Sequence, residues 1–238
     1  MLRFTQQNKE HAMAIELTFL GHSGFVIKDA DTGKAVAVDP FLTGNPLAVN
    51  KPEDIQCDYI ALTHAHDDHF GDTLAIAKQN DATVICAFEL GEYLMNEHGL
   101  TKVELGNPGG RIMTDFGYVA MTPAFHSSSY QGRYMGQPMG LVFSIGGVKL
   151  YHCGDTALFG DMQLIGEVAK PDIAMIPCGD RFTMGVELAT RAEMIKPKVA
   201  VPIHYKTYPV LNQTIDGFEP QGVEVKEMAP GEVWAYGG

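Results

Sequence analysis

Positions 64 to 69 read His-Ala-His-Asp-Asp-His, which places four groups of metal-ligand type directly after the apolar run Tyr59-Ile60-Ala61-Leu62. Residues two apart on an extended backbone point the same way, so His64 and His66 can hold one ion from the end of a strand. Asp68 and His69 fall on the turn that follows, and a second ion can be held beside the first. Neutral imidazoles and a carboxylate suit zinc, manganese or iron. No cysteine is interleaved, as it would be in a closed structural zinc site. The spacing therefore points to an open site that performs chemistry. The competing reading is a solvated loop that happens to be rich in histidine.

Three further residues of ligand type each close an apolar run, which is where open sheets place their chemistry. His126 follows residues 119–125, Asp155 lies in Gly154-Asp155-Thr156 after residues 148–153, and His204 follows residues 199–203. Seven residues of ligand type at four strand ends are hard to obtain by chance. His22, in a Gly-His-Ser turn, and His152 are left over. Each either donates to a metal-bound carboxylate or to substrate, or has a structural role. Asp39 ends another apolar stretch, where its carboxylate is placed to orient a ligand imidazole. Asp68, between metal and leaving group, is the candidate proton carrier. The polar, glycine-bearing segment 127–137 suits a flexible rim over the pocket. Arg133, Arg181 and Lys206 are the cations expected near it, and their convergence would favour a substrate carrying phosphate or carboxylate.

Period and punctuation supply the elements that position these groups. Strands are expected over residues 15–20, 24–28, 35–38 and 58–63. A helix over 73–79 capped by Asp72, a strand over 83–87, a helix over 90–97 ended by Gly99 and a strand over 101–105 follow. A second run of strands covers 111–114, 118–125, 140–145 and 148–152. After it come a helix at 162–169, a strand at 172–177, a helix at 186–195, a strand at 198–203, a short helix at 210–216 and closing strands at 223–228 and 232–236. Two halves of this kind predict an α/β (α+β) fold, a four-layer αββα sandwich of two mixed β-sheets with helices on the outer faces. Residues 1–12 are polar without a hydrophobic period and read as a flexible extension, leaving residues 13–238 as a single domain.

Composition narrows the partners. With 238 residues, 45% of them hydrophobic, the chain can build a sizeable core, and a formal net charge of −12 opposes a duplex nucleic-acid surface. No stretch approaches a membrane span, and no hydrophobic leader follows Arg3. Cys57, Cys86, Cys153 and Cys178 lack any CxxC pairing and lie in or beside apolar segments, which fits buried free thiols and a reducing, cytoplasmic setting. A small-molecule substrate is the expected partner, and association into a homo-oligomer is left open. GxGxxG, Walker-type and GxSxG signatures are absent, so the metals are the source of reactivity.

The series HxHxDH, a strand-ending His126, Gly154-Asp155-Thr156 and Pro202-Ile203-His204-Tyr205 resembles the metallo-β-lactamase superfamily of binuclear metal hydrolases, over residues 15 to about 236. Gly21-His22-Ser23, His126-Ser127-Ser128, Phe182-Thr183-Met184-Gly185 and His204-Tyr205-Lys206-Thr207 resemble its small metal-dependent hydrolases, related to the ascorbate-6-phosphate lactonase branch. The resemblance implies that His64, His66 and His126 hold one ion, that Asp68, His69 and His204 hold the other, and that Asp155 bridges them. Asp67 stands where that pattern often has a small residue. Two divalent ions, zinc first and manganese or iron as alternatives, would activate a shared water as hydroxide against a small ester, lactone or phosphoester. The alternatives are a phosphodiesterase or nuclease of the same superfamily, and a metal-binding or sensor protein without turnover.

Overall fold

Alternation along the strands builds this fold. In the computed structural model, which describes residues 14–237, the apolar side chains of successive residues enter different cores. Leu141 and Phe143 join the central core while Val142 joins a second one; Ile173 and Met175 divide from Ala174 and Ile176 in the same way. A period of two thus fills both faces of one sheet.

The first sheet contains β1 (Ile15–Gly21), β2 (Gly24–Asp29), β3 (Ala35–Val38), β4 (Tyr59–Ala61), β5 (Thr83–Ala87) and β6 (Val103–Gly106). The second begins with β7 (Arg111–Thr114) and β8 (Gly117–Pro123). A separate ribbon of β9 (Ser129–Tyr130) and β10 (Arg133–Tyr134) intervenes. The second sheet then resumes with β11 (Met139–Ile145), β12 (Val148–His152), β13 (Ile173–Pro177), β14 (Val199–Ile203) and β15 (Glu224–Val225), and β16 (Val233–Tyr236) returns to pair with β1. Both seven-stranded sheets are mixed: antiparallel through β1–β3 and β7, β8, β11 and β12, parallel through β3–β6 and β12–β15. The central core lies between them and extends beneath α2 (Thr73–Asn80) and α3 (Phe88–His98), which follow the one-turn α1 (Asp67–Phe70). The second core lies under α4 (Met162–Ala169) and α5 (Val186–Arg191). This is the αββα sandwich of two mixed sheets.

Register brings the chemistry to one edge. Val38 pairs with Ala61, and Pro177 with Ile203, so the carboxyl ends of these parallel strands lie side by side. Pairing of Pro123 with Met139 and of Leu141 with His152 brings the end of β8 to that edge as well. The β1–β2 turn, flanked by the pair Gly21 and Gly24, presents His22 there.

Several expectations need correction. Residues 210–216 form turns rather than a helix, and the helix expected over 186–195 tightens after Arg191 into a 3₁₀ turn. The strand over 223–228 is only two residues long. Asp72 precedes α2 without capping it; its Oδ2 accepts instead from the Leu42 and Thr43 amides, tying the loop after β3 to α2. The segment 127–137 contains the β9–β10 ribbon, whose loop residues Gln131 and Gly132 both have positive φ, as a type I′ hairpin requires. The extension expected at residues 1–12 lies outside the described residues. No described helix is long and apolar enough to cross a membrane.

Gly154 closes the approach of the two sheets. Its φ is +63°, and a Cβ there would press on the Met139 carbonyl and the Thr63 side chain. Gly154→Ala is expected to destabilise the protein by about 1–3 kcal/mol, read as a lower urea midpoint; an unchanged midpoint would show that this approach tolerates a side chain.

Candidate metal centre

A change of backbone geometry inside the His-rich segment separates its donors. His64 and His66 lie on irregular backbone after β4, with His66 at extended φ and ψ; α1 then starts at Asp67, with the His69 and Phe70 amides donating to the His66 carbonyl at 2.9 and 2.8 Å. Helical rotation turns Asp68 and His69 away from the direction His64 and His66 share. Ligand-type atoms of His64, His66 and His126 lie within 4.8 Å of one another, and so do those of His22, Asp68, His69 and His204. His64, His69 and Asp155 form a third such group. Asp155 stands between the sets: its Oδ1 is 3.3 Å from His69 Nε2, and its Oδ2 is 3.0 Å from His204 Nε2 and 3.5 Å from His126 Nε2.

Three of the imidazoles are held from behind. Asp39 Oδ2 accepts from His69 Nδ1 at 2.7 Å and from Thr63 Oγ1 at 2.6 Å, while its Oδ1 accepts the Thr63 amide at 2.8 Å. Thr63 Oγ1 also lies 3.0 Å from His64 Nδ1. Thr207 Oγ1 is 2.7 Å from His22 Nδ1, which gives the HYxT element a physical purpose. Only Asp39 was singled out by strand-end position; Thr207 sits in a quoted motif and Thr63 just before one, but as neighbours of histidines their roles leave no pattern in sequence.

Electrostatics prepare the site for cations. Burial holds the pKa values of His64, His66 and His126 below the usual histidine value, leaving neutral lone-pair donors. Burial and the neighbouring His204 push His22 down to about 4. Burial also acts against ionisation of Asp155, yet His204 and His69 outweigh it and hold that carboxyl well below the usual carboxylate range. Asp68 offers a partly exposed carboxylate that can hold a cation. His69 is the exception. Burial opposes its charge, but Asp155 and Asp39 together raise its pKa well above the usual value. Within this cluster His22 Nε2, His69 Nε2, His204 Nδ1 and Asp155 Oδ1 are buried without a hydrogen-bond partner among the described residues. Unpartnered donors and acceptors are costly when buried, and a divalent cation satisfies the lone pairs they present. The residues fit a metal centre.

Two cavities open onto it. One, of about 1010 Å³, is lined by His126, Phe125, Ser127, Arg133 and Tyr134; the other, of about 520 Å³, by His66, Asp67, Asp68, Gln131 and Tyr208. The hairpin residues Ser129 and Gly132 border both. Ser127, 3.3 Å from His66 Nε2 through its hydroxyl, and Tyr208 were not singled out in the sequence as site residues.

Other expected contacts are redirected. His152 is fully buried: its Nε2 donates to the Ser23 carbonyl at 2.8 Å and its Nδ1 accepts the Gly154 amide at 3.1 Å. Both ring nitrogens thus serve the backbone, and a catalytic role for His152 is corrected to a structural one. The three cations do not converge. Arg133 lines the larger cavity but pairs with Glu97 at 3.3 Å; Lys206 pairs with Glu227 at 2.9 Å in a separate pocket beside Phe19; Arg181 is exposed and lines neither cavity. Alternation and strand-end logic cannot anticipate where such long side chains go.

The sequence profile described as "Beta-lactamase superfamily domain" matches residues 16–204. The chain belongs to the metallo-β-lactamase superfamily. It is 45% identical over 225 residues to the UPF0173 metal-dependent hydrolase TTHA1283 of Thermus thermophilus, covering 92% of this chain and 98% of the relative. A UPF0173 metal-dependent hydrolase of Archaeoglobus fulgidus is 41% identical over 234 residues, covering 93% and 99%. The structure of Igni18, a metallo hydrolase from Ignicoccus hospitalis, superposes with a TM-score of 0.83 at 34% identity, covering 93% of this chain and 98% of that one. An isothiocyanate hydrolase from Delia radicum gut bacteria, 22% identical and covering 93% and 99%, shares the metallo-β-lactamase fold with a TM-score of 0.73. With relatives of these names, this chain is a metal-dependent hydrolase of the metallo-β-lactamase superfamily.

Two outcomes follow from the geometry. Asp39→Ala removes the acceptor that orients His69 and should weaken metal binding about 10–100-fold in equilibrium dialysis; unaltered affinity would separate Asp39 from the centre. Below its raised pKa, His69 carries a proton on Nε2 that a cation must displace, so binding tightens as pH rises through that pKa. Calorimetry in buffers of different ionisation enthalpy should register about one proton or more released per chain near neutral pH, and no release would refute a protonated His69.

Proposed function

We propose that this chain is a two-ion hydrolase of a small carboxylic ester, lactone or phosphoester, working in the cytoplasm on a small molecule rather than on nucleic acid or at a membrane. The observation that carries the reading is the position of Asp155, one buried carboxylate within 3.5 Å of imidazoles from both donor sets. His64, His66 and His126 would hold one ion, and Asp68, His69 and His204 the other, with Asp155 between them; zinc is the first choice for this donor chemistry, and manganese or iron the alternatives. Bound there, a pair of divalent ions supplies an activated water and a Lewis acid at neutral pH.

The chain's own residues do the rest. Asp68, a carboxylate bordering the smaller cavity, is placed to take up a proton beside the reacting group. The β9–β10 hairpin borders both cavities, so a substrate reaching the centre lies against Ser129 and Gly132. The scattered cations weigh against the phosphodiesterase or nuclease alternative, whose polyanionic substrate calls for several of them at the site. The complete donor set and two open cavities weigh against a metal sensor without turnover. Four buried free thiols support a reducing compartment.

Metal analysis after reconstitution should approach two ions per chain, and Asp155→Ala should lower the occupancy of both. With zinc, manganese or iron added, p-nitrophenyl esters and lactones should be hydrolysed faster than bis-p-nitrophenyl phosphate. Inactivity across this panel with two ions bound would overturn the hydrolytic reading.

A further inference from the structure

We propose that the two donor sets are unequal: His22, oriented by Thr207, is a fourth side-chain ligand with Asp68, His69 and His204 for an inner ion, while His64, His66 and His126 form an outer set facing substrate. This rests on the two-ion reading above.

The hydrogen bonds around His22 decide which of its nitrogens is free. Thr207 Oγ1 donates to the Tyr205 carbonyl at 3.3 Å, so the same oxygen accepts from His22 Nδ1–H at 2.7 Å. A neutral imidazole protonated at Nδ1 carries its lone pair on Nε2. That atom lies 3.2 Å from Asp68 Oδ2, at a distance but not an angle suited to a hydrogen bond, and it has no other partner. Two acceptors facing each other in a buried space are stabilised by a cation between them. The ring is also fixed in place. His22 and His204 both take positive φ, of 56° and 58°, and the His204 amide donates to the His22 carbonyl at 2.8 Å, bringing their ring centroids to 4.1 Å. One strained turn from each sheet thus holds the other, and non-glycine residues keep such backbone where the surroundings impose it.

Two of the three outer imidazoles reach a cavity, and none of the inner ones does. His22, His69 and His204, like His64 of the outer set, are at most 2% exposed and line neither cavity, whereas His126 borders the larger cavity and His66 borders the smaller beside Asp68. The inner set therefore combines four side chains with the shared Asp155 and is shut off from solvent except at Asp68. The outer set offers three imidazoles and Asp155, and its open side faces the space where a substrate enters.

Titration of the metal-stripped protein with cobalt, followed by calorimetry and visible absorption, tests the assignment. Wild type should show two classes of site, the outer one identified by its loss in His126→Ala. His22→Ala should weaken the other class at least about tenfold and change its cobalt spectrum, leaving the outer class intact. Thr207→Val should weaken the same class less, and added imidazole should restore the spectrum in His22→Gly, which separates loss of a ligand from misfolding. Unchanged affinities and spectra in His22→Ala would overturn the inner-ligand assignment alone, as would loss of the outer class. A single class in wild type would overturn the two-ion reading and this proposal together.

Discussion

The arrangement depends on one buried carboxylate. Asp155 is 3% exposed, and a charge so placed is costly unless it is compensated from several sides. Compensation comes from His69 after β4 and His204 after β14, neither of which is its neighbour in sequence. The two sheets must therefore bring their carboxyl-end loops together at a common edge for the carboxylate to be tolerable. The same requirement makes the place a cation site, because imidazoles and carboxylates that satisfy one another imperfectly are satisfied together by a metal.

The sandwich supplies this edge through period and register. Alternating residues of β11 to β14 divide between the central core and the core under α4 and α5, so each strand is locked on both faces and cannot slip by one residue without inverting its burial. Parallel pairing then aligns the ends of β3 with β4 and of β13 with β14. Rigid strands fix where the ligand loops begin, and tight turns at Gly154, His22 and His204 fix where they point. Behind them Asp39, Thr63 and Thr207 turn individual rings. The hairpin of β9 and β10 borders both cavities beside the centre.

Much of this was legible in the sequence because it is carried by local pattern. Strands at β3, β5, β7 and β12 and the helix α4 match their expected bounds, since a local hydrophobic period or a short apolar run bounded by polar residues marks each one. The His-x-His-x-Asp-His spacing and the strand-ending His126, Asp155 and His204 announced a metal centre for the same reason. The short helix expected at residues 210–216 failed where Pro209 and polar residues favour turns. His152 failed differently: it ends a strand as the donors do, but its ring turns back to the backbone of β2's turn. Lys206 follows a ligand histidine and yet points into another pocket.

What the sequence alone determined, then, is the type of chemistry and the layering of the fold, because ligand identity, spacing and hydrophobic period are properties of short segments. Only the tertiary structure decided which donors share a neighbourhood, that His22 joins the buried set, that Thr207 holds it, and that the cations disperse. Those facts depend on contacts between residues up to 185 positions apart, and the direction of a side chain at the end of a strand is settled by what the other sheet places in front of it.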